Sequence, residues 1–358
     1  MVRLRVRFGS HPVRATGIRL RVPQPSGSVW GWIAIACVGA SLLSGCGNHA
    51  GSGNTASSGS GAAASTLTIA VIPKGTTHQY WNSVKAGADA AGKDLGVNIE
   101  WKGPVLEDDR AGQIQIVQQF VSDNVSGIVL APLDENALVS PVRAAAASKI
   151  PVVIIDSALK ATPGQDFVSF VAADNHKGGY LGGERLAQLL GGKGKVILLR
   201  YMEGSASTEA REAGFEEAIH KYPGITILSD TNYAGATQGE AQTKAMQMVD
   251  EIKQADGIFC PNESSTMGML QALKQDNLTG KLKFVGFDAS PPLIDALKAK
   301  QIDALVAQNP TRMGYEGVQS VVAAIQHQTV AATIDTGVTV IDNSNIGTPD
   351  VQKLLAGS

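Results

Sequence analysis

Four short apolar runs in this chain lead into a side chain that bonds hydroxyl groups. Val152 to Ile155 ends at Asp156, Ile258 to Cys260 is followed by Pro261 and Asn262, Val285 to Phe287 ends at Asp288, and Leu305 to Ala307 ends at Gln308. A lone Asp or Asn after a strand commonly caps the next helix or forms a turn. Repetition at several strand ends fits a ligand crevice better, since open α/β sheets bind ligands at the carboxyl edge. Ser290-Pro291 already supplies a cap and first-turn residue for the helix after Asp288, which frees that carboxylate for another task.

A second cluster, polar and aromatic, follows the apolar run Leu67 to Ile72: Pro73, Lys74, Gly75, Thr76, Thr77, His78, Gln79, Tyr80 and Trp81. Displayed on a loop at a strand's carboxyl end, His78, Tyr80 and Trp81 point to recognition, although Tyr80 and Trp81 also suit the core side of a first helical turn. Lys74 is either a further donor or a solvated loop lysine. Arg211, in TEAREAGF from Thr208 to Phe215, is either a solvated helix arginine or a forked donor turned toward Asp156 and Asp288. Charged acceptors, charged donors and neutral amides around apolar ring faces fit an uncharged, polyhydroxylated ligand, because hydroxyls both donate and accept. A phosphate would call for an excess of donors.

Motifs for covalent or metal chemistry are missing. The six histidines (His11, His49, His78, His176, His220, His327) have no metal-ligand spacing, and there is no GxSxG elbow. The cluster Gly191 to Lys195 lacks the Lys-Ser/Thr ending of a P-loop. No enzymatic activity, cofactor or metal is expected.

The elements that must position these residues alternate in type. After the first strand, loop and helix come Val97 to Trp101, a helix from Gln113 to Val125, Gly127 to Leu130, a helix from Ala137 to Ser148, and Pro151 to Asp156. The last is continuously apolar, as a strand covered on both faces must be. Phe167 to Ala172 then leads through Asp174-Asn175 into a helix to Leu190, and a break at Gly191 to Gly194 follows. The pattern restarts with Lys195 to Leu199, Thr208 to His220, Ile225 to Asp230, Gln238 to Gln254, Gly257 to Cys260, Thr266 to Gln275, Phe284 to Phe287, Pro291 to Lys300 and Ala304 to Ala307. Two consecutive α/β sets predict two doubly wound parallel-sheet lobes. A helix from Arg312 to His327 and a strand from Thr333 to Ile341 are most simply placed back on the first lobe.

With 358 residues, 44% of them hydrophobic, the chain has material for about two domains and an ample core. Arg3, Arg5, Arg7, Arg14, Arg19 and Arg21 precede an apolar stretch from Val29 to Leu43, and no acid appears before Asp89. This layout predicts an export signal, too short at about fifteen residues to span a bilayer comfortably. Leu43-Ser44-Gly45-Cys46 resembles a bacterial lipobox, with Cys46 as the lipidated first residue of the mature protein. Residues 1–46 are therefore read as a lipoprotein signal peptide and 47–65, rich in Gly, Ser and Ala, as a flexible tether. Without the leader, 24 basic residues face 32 acidic ones, a net of −8, which is unsuited to nucleic acid. Cys37 lies in the apolar segment and Cys260 stands alone in an apolar run, so the cysteines predict no disulfide framework.

From Thr66 to about Ile341 the chain resembles the ribose-type periplasmic sugar-binding proteins, the solute receptors of ABC importers. The likeness is carried by IAVIPKGTTHQYW (Ile69 to Trp81), GIVLAPLDENAL (Gly127 to Leu138), IPVVIIDS (Ile150 to Ser157), AADNHKGG (Ala172 to Gly179), AREAGF (Ala210 to Phe215), IFCPNESSTMG (Ile258 to Gly268), FVGFDASP (Phe284 to Pro291) and LVAQNPTRMG (Leu305 to Gly314). The resemblance implies the type I periplasmic binding fold, with lobes crossing near Ala172, Asn309 and Ile334 to form a three-segment hinge. It gives lobes of 66–172 plus 309–334 and of 173–308 plus 335–358. By position it implies ring stacking at Tyr80 and Trp81 and a polar ligand residue at His78. It also implies cleft carboxylates at Asp156 and Asp288, an arginine at Arg211, and amides at Asn262 and Gln308.

Ala131 and Ala173 stand where the ribose receptor has hydroxyl-bonding side chains, and Ser157, the tenth candidate ligand residue, stands where an arginine would follow the cleft aspartate. The implied ligand is a sugar or polyol, with a furanone-like autoinducer, for which a lysine matching Lys74 is used, as the alternative. The implied partners are an ABC permease, or a chemosensor or sensor kinase, served by a monomeric, lipid-anchored, extracytoplasmic receptor. A repressor sharing this fold would need a helix-turn-helix ahead of Thr66, where the export segment and tether lie instead.

Overall fold

The computed structural model describes residues 66–356; the segment read as a signal, with Cys46, and the tether 47–65 lie outside them. The first half alternates β1 (Thr68–Ile72), α1 (Gln79–Leu95), β2 (Asn98–Trp101), α2 (Arg110–Ser122), β3 (Gly127–Leu130), α3 (Val139–Ala147), β4 (Val152–Ile155) and β5 (Ser169–Ala172). The second runs through α4 (Asn175–Leu189), β6 (Lys193–Leu198), α5 (Ala206–His220), β7 (Gly224–Ser229), α6 (Gln238–Gln247), α7 (Val249–Ile252) and β8 (Gly257–Phe259). It continues with α8 (Glu263–Gln275), β9 (Lys283–Phe287), α9 (Pro291–Lys298) and β10 (Ala304–Gln308). The chain closes with α10 (Pro310–Ile325), β11 (Thr333–Asp335), β12 (Val338–Asp342) and α11 (Pro349–Leu355).

These strands form two six-stranded sheets, ordered β11-β5-β4-β3-β1-β2 and β12-β10-β9-β8-β6-β7. Every pairing is parallel except that of β12 with β10. Alternate residues of each central strand feed opposite faces. Ile69 and Val71 pack under α1 and α10, while Ala70 and Ile72 pack against α2 and α3. In the second sheet Ile197 and Leu199 join one core and Val196 and Leu198 the other. A strand covered on both faces must be apolar throughout, which explains the solid runs of the sequence.

Helix ends follow local chemistry. The α1 helix leaves an extended His78 (φ −83°, ψ 141°), buries Trp81, Val84, Ala88 and Ala91 as one stripe, and stops at Gly96 in the left-handed region (φ 66°). Its close approach to α10 requires glycine on both helices. A Cβ on Gly87 would stand 1.9 Å from the Thr311 carbonyl oxygen, and one on Gly314 would stand 2.0 Å from that of Val84.

Three expectations are corrected. The segment Thr333 to Ile341 is two strands rather than one. Asp335-Thr336-Gly337, with Gly337 at φ 85°, breaks it, so that β11 pairs with β5 in the first sheet and β12 with β10 in the second. Gln238 to Gln254 is interrupted at Met248, whose φ and ψ of −92° and 11° leave the helical region. Strand β6 starts at Lys193, inside the expected break, because a backbone at Gly194 with φ 134° still pairs with β7. The chain passes between sheets three times, from β5 to α4, from β10 to α10, and from β11 to β12.

Candidate functional site

In each sheet the strand order reverses beside the first strand of its lobe, between β1 and β3 and between β6 and β8. A parallel sheet opens a crevice at such a switch point, outside the carboxyl ends of its strands. The loops after β1, β6 and β8 fall there, and they face one another across a shared cavity. Its wall includes Lys74, His78, Tyr80, Trp81, Asp156, Arg211, Asn262, Asp288 and Gln308, nine of the ten expected ligand residues.

Asp156 and Asp288 occupy matching places, each directly after an apolar strand, with φ of 64° and 70°. Left-handed backbone costs a non-glycine residue roughly 1–2 kcal/mol, and it aims both carboxylates inward instead of along the strand. Asp156 Oδ2 lies 3.3 Å from Lys74 Nζ, and its Oδ1 accepts the Tyr80 hydroxyl at 3.0 Å. Asp288 Oδ2 accepts the N–H of Glu263, the first residue of α8, at 2.9 Å, and its Oδ1 accepts the Gln308 amide at 2.8 Å. Burial pushes the Asp288 carboxyl up to about 6, against the opposing pull of Arg211 and Gln308; Glu263 and Asp156 add to the rise.

Lys74 is buried, so the solvated-loop alternative is corrected. Its ammonium reaches across to the second lobe, donating to Ser207 Oγ at 2.9 Å and Ser205 Oγ at 3.3 Å. Arg211 is also buried rather than solvated. Its guanidinium stacks 4.0 Å over the Phe287 ring, with Nε on Asn175 Oδ1 and Nη1 on the Pro261 carbonyl, each at 2.9 Å. Asn175 in turn donates to the Asp156 carbonyl at 3.0 Å, tying the arginine to the opposite lobe. Two buried atoms of this wall, Arg211 Nη2 and Gln308 Oε1, have no hydrogen-bond partner.

Asn262 serves both readings: it lines the cavity and caps α8, its Oδ1 accepting the Ser265 N–H at 3.2 Å. Trp81 reaches the cavity as an edge-on neighbour of Tyr80, ring centroids 5.0 Å apart, while its indole N–H is taken by Glu107 at 2.7 Å. Ser157 is the exception. It is fully buried behind the wall and accepts the Ser207 N–H at 3.0 Å, so its place next to Asp156 makes it a strut between lobes and not part of the lining. Cys46 lies outside the described residues. Cys260 is a free thiol buried just beyond β8, and burial raises its pKa well above the ordinary range.

Glu107, Tyr201, Ser207, Thr208 and Glu263 complete the wall without having been singled out in the sequence. Glu263 Oε2 accepts the backbone N–H of Tyr80 at 2.9 Å, a contact between lobes. Glu107 is held at about 2: burial alone would raise it, but His78, Lys74 and the Trp81 N–H outweigh that. Among the described residues no group of three or more His, Cys, Asp or Glu is placed to hold a metal ion.

Residues 69–329 match the periplasmic binding protein domain family. The D-allose-binding periplasmic protein of Escherichia coli is 30% identical over 270 residues, which cover 74% of this chain and 86% of that protein. A carbohydrate transporter solute-binding protein of Agrobacterium radiobacter, crystallised with D-arabinose, shares 33% identity. It aligns with a TM-score of 0.78 over 82% of this chain and 99% of its own. An ABC transporter solute-binding protein of Agrobacterium vitis with bound D-fucose also shares 33% identity, with a TM-score of 0.77 over 80% and 99% of the two chains.

Proposed function

The chain belongs to the ribose-type periplasmic sugar-binding proteins, which are receptors and not enzymes, and on that premise we propose that it captures one uncharged sugar or polyol and delivers it to an ABC permease. The observation that carries the choice of ligand is the pair of unpartnered buried atoms, Arg211 Nη2 and Gln308 Oε1. One seeks an acceptor and the other a donor, and a sugar hydroxyl answers both. The wall's cationic side chains, Lys74, His78 and Arg211, are outnumbered by its carboxylates, Glu107, Asp156, Glu263 and Asp288, with Lys74 paired to Asp156 and His78 to Glu107, which leaves no surplus of cations for a phosphorylated sugar. Asp156, Asp288, Asn262, Arg211, Gln308 and Lys74 are assigned to the ligand's hydroxyls, and Tyr80 and Trp81 to its apolar ring face.

A thermal-shift screen of neutral pentoses, hexoses, deoxyhexoses and polyols beside their phosphates tests this. At a hundredfold excess over Kd, a true ligand adds about 2.7 kcal/mol and raises Tm by about 5 °C or more. Stabilisation by phosphorylated sugars alone would contradict the assignment.

We further infer anchoring outside the cytoplasm through a lipid on Cys46, supported by the arginine-rich start, the apolar stretch and the small residues before that cysteine. Cys46→Ser is expected to move the protein from the membrane fraction to the soluble extract. Retention of the variant on membranes would refute lipidation there.

A further inference from the structure

Glu107 lies on the loop between β2 and α2 of the first lobe, 5% exposed, with every partner in place. Its Oε1 receives the Trp81 indole N–H at 2.7 Å and faces His78 Nδ1 at 2.8 Å, both within its own lobe. Its Oε2 accepts the hydroxyl of Tyr201, from the second lobe, at 2.9 Å. The other ring nitrogen of His78, Nε2, meets the carbonyl of Ala236, also in the second lobe, at 3.0 Å. Tyr201 Oη comes within 3.4 Å of that same carbonyl, so the contacts close into a ring that spans both lobes.

With a carboxylate on one nitrogen and a carbonyl on the other, only the doubly protonated imidazolium donates at both positions of His78. Glu107 raises its pKa to about 9 in spite of burial, which is consistent with that form at neutral pH. These bonds therefore join a buried ion pair of one lobe to two polar groups of the other. Tyr201 lines the cavity on one side and an outer groove with Asp108, Arg110 and Tyr233 on the other. The ring thus stands between the cavity and solvent, and separating the lobes breaks it.

We propose that Glu107, with His78, Tyr201 and the Ala236 carbonyl, forms a clasp that sets how readily the lobes close, apart from any bond to the sugar. This rests on the receptor reading above. A bond made only in the closed state shifts the closing equilibrium, and apparent affinity scales with the closed fraction. Glu107 and Tyr201 then act as positioning residues for the whole site.

The test is energy transfer between dyes on unnatural amino acids at Ala147 and Lys274, exposed helix positions on the two lobes, in the full chain in detergent and without sugar. Glu107→Gln and Tyr201→Phe are each expected to lower the ratio of closed to open molecules by about tenfold, the loss of one hydrogen bond to a charged group. Tyr201→Phe removes a single oxygen and carries the test if Glu107→Gln does not fold. Tyr222→Phe is the control, since it removes the same single oxygen from a hydroxyl that bonds Glu184 of its own lobe, away from the cavity, and should leave this distribution unchanged. Distance distributions of both variants that match the wild type would overturn the clasp, even if their sugar affinity falls, because such a fall would mark direct ligand contacts. D-arabinose, D-allose, D-fucose and xylitol added to the wild type then separate the two claims. If none shifts the distance while the variants open, the clasp stands and the receptor reading fails.

Discussion

Asp288→Ala is expected to weaken sugar binding by about 2–5 kcal/mol, the range for truncating a buried charged hydrogen-bond partner. The carboxylate is 6% exposed and is fixed by the Gln308 amide and by the first N–H of α8. Each oxygen keeps a lone pair for a hydroxyl, and the inward aim comes from backbone at φ 70°. Removing it also unties Gln308, whose Oε1 is one of the two unpartnered atoms of the wall. Asn is better than Ala in left-handed backbone, so Asp288→Asn should keep more stability while still losing affinity. Titration calorimetry with the sugar found in the thermal screen reads both variants. Unchanged affinity combined with a lower Tm would make Asp288 a partner of the α8 terminus and nothing more.

Gly179→Ala should be as damaging, from a site that touches no ligand. A Cβ there would stand 1.8 Å from the Arg211 carbonyl oxygen and 2.6 Å from its Cα. Both obstacles are backbone, so no side-chain rotation relieves them and α4 must move away from α5. Gly214 answers from α5, where a Cβ would stand 2.0 Å from the His176 carbonyl oxygen. Overpacking of this kind costs about 1–3 kcal/mol, or a Tm lower by roughly 3–10 °C. The same displacement carries Arg211 off the Phe287 ring and away from Asn175 and Pro261, so sugar affinity should fall along with stability. Full affinity in a Gly179→Ala protein that melts normally would show that the helices tolerate a wider spacing.

The fold was readable because its strands are covered on both faces and so appear as unbroken apolar runs, as in Gly127–Leu130 and Val152–Ile155. Asp156 and Asp288 were readable for the same reason: each is the first polar residue after such a run. Arg211 and Lys74 were only half readable, since burial depends on partners such as Asn175 and Ser207 that lie far away in sequence. Glu107 gave no signal. It opens the acidic triplet Glu107-Asp108-Asp109 before α2, where Asp109 does cap the helix, and such a run reads as a solvated helix start. Tyr201 likewise sits between a strand end and a Gly/Ser loop, and only the meeting of the lobes gives its hydroxyl a partner. The split of Thr333 to Ile341 was signalled by Gly337, but which sheet each half joins is decided by pairing with β5 and β10 and not by local sequence.

Native mass spectrometry of the protein incubated with the neutral sugar and polyol panel reaches the central claim most directly, that two lobes clasp a polyhydroxy molecule without altering it. The expected spectrum shows one intact ligand per chain, released at its original mass and displaced by an excess of its isotopically labelled form. A chain that takes up none of the panel, or one that releases a molecule of changed mass, would contradict it.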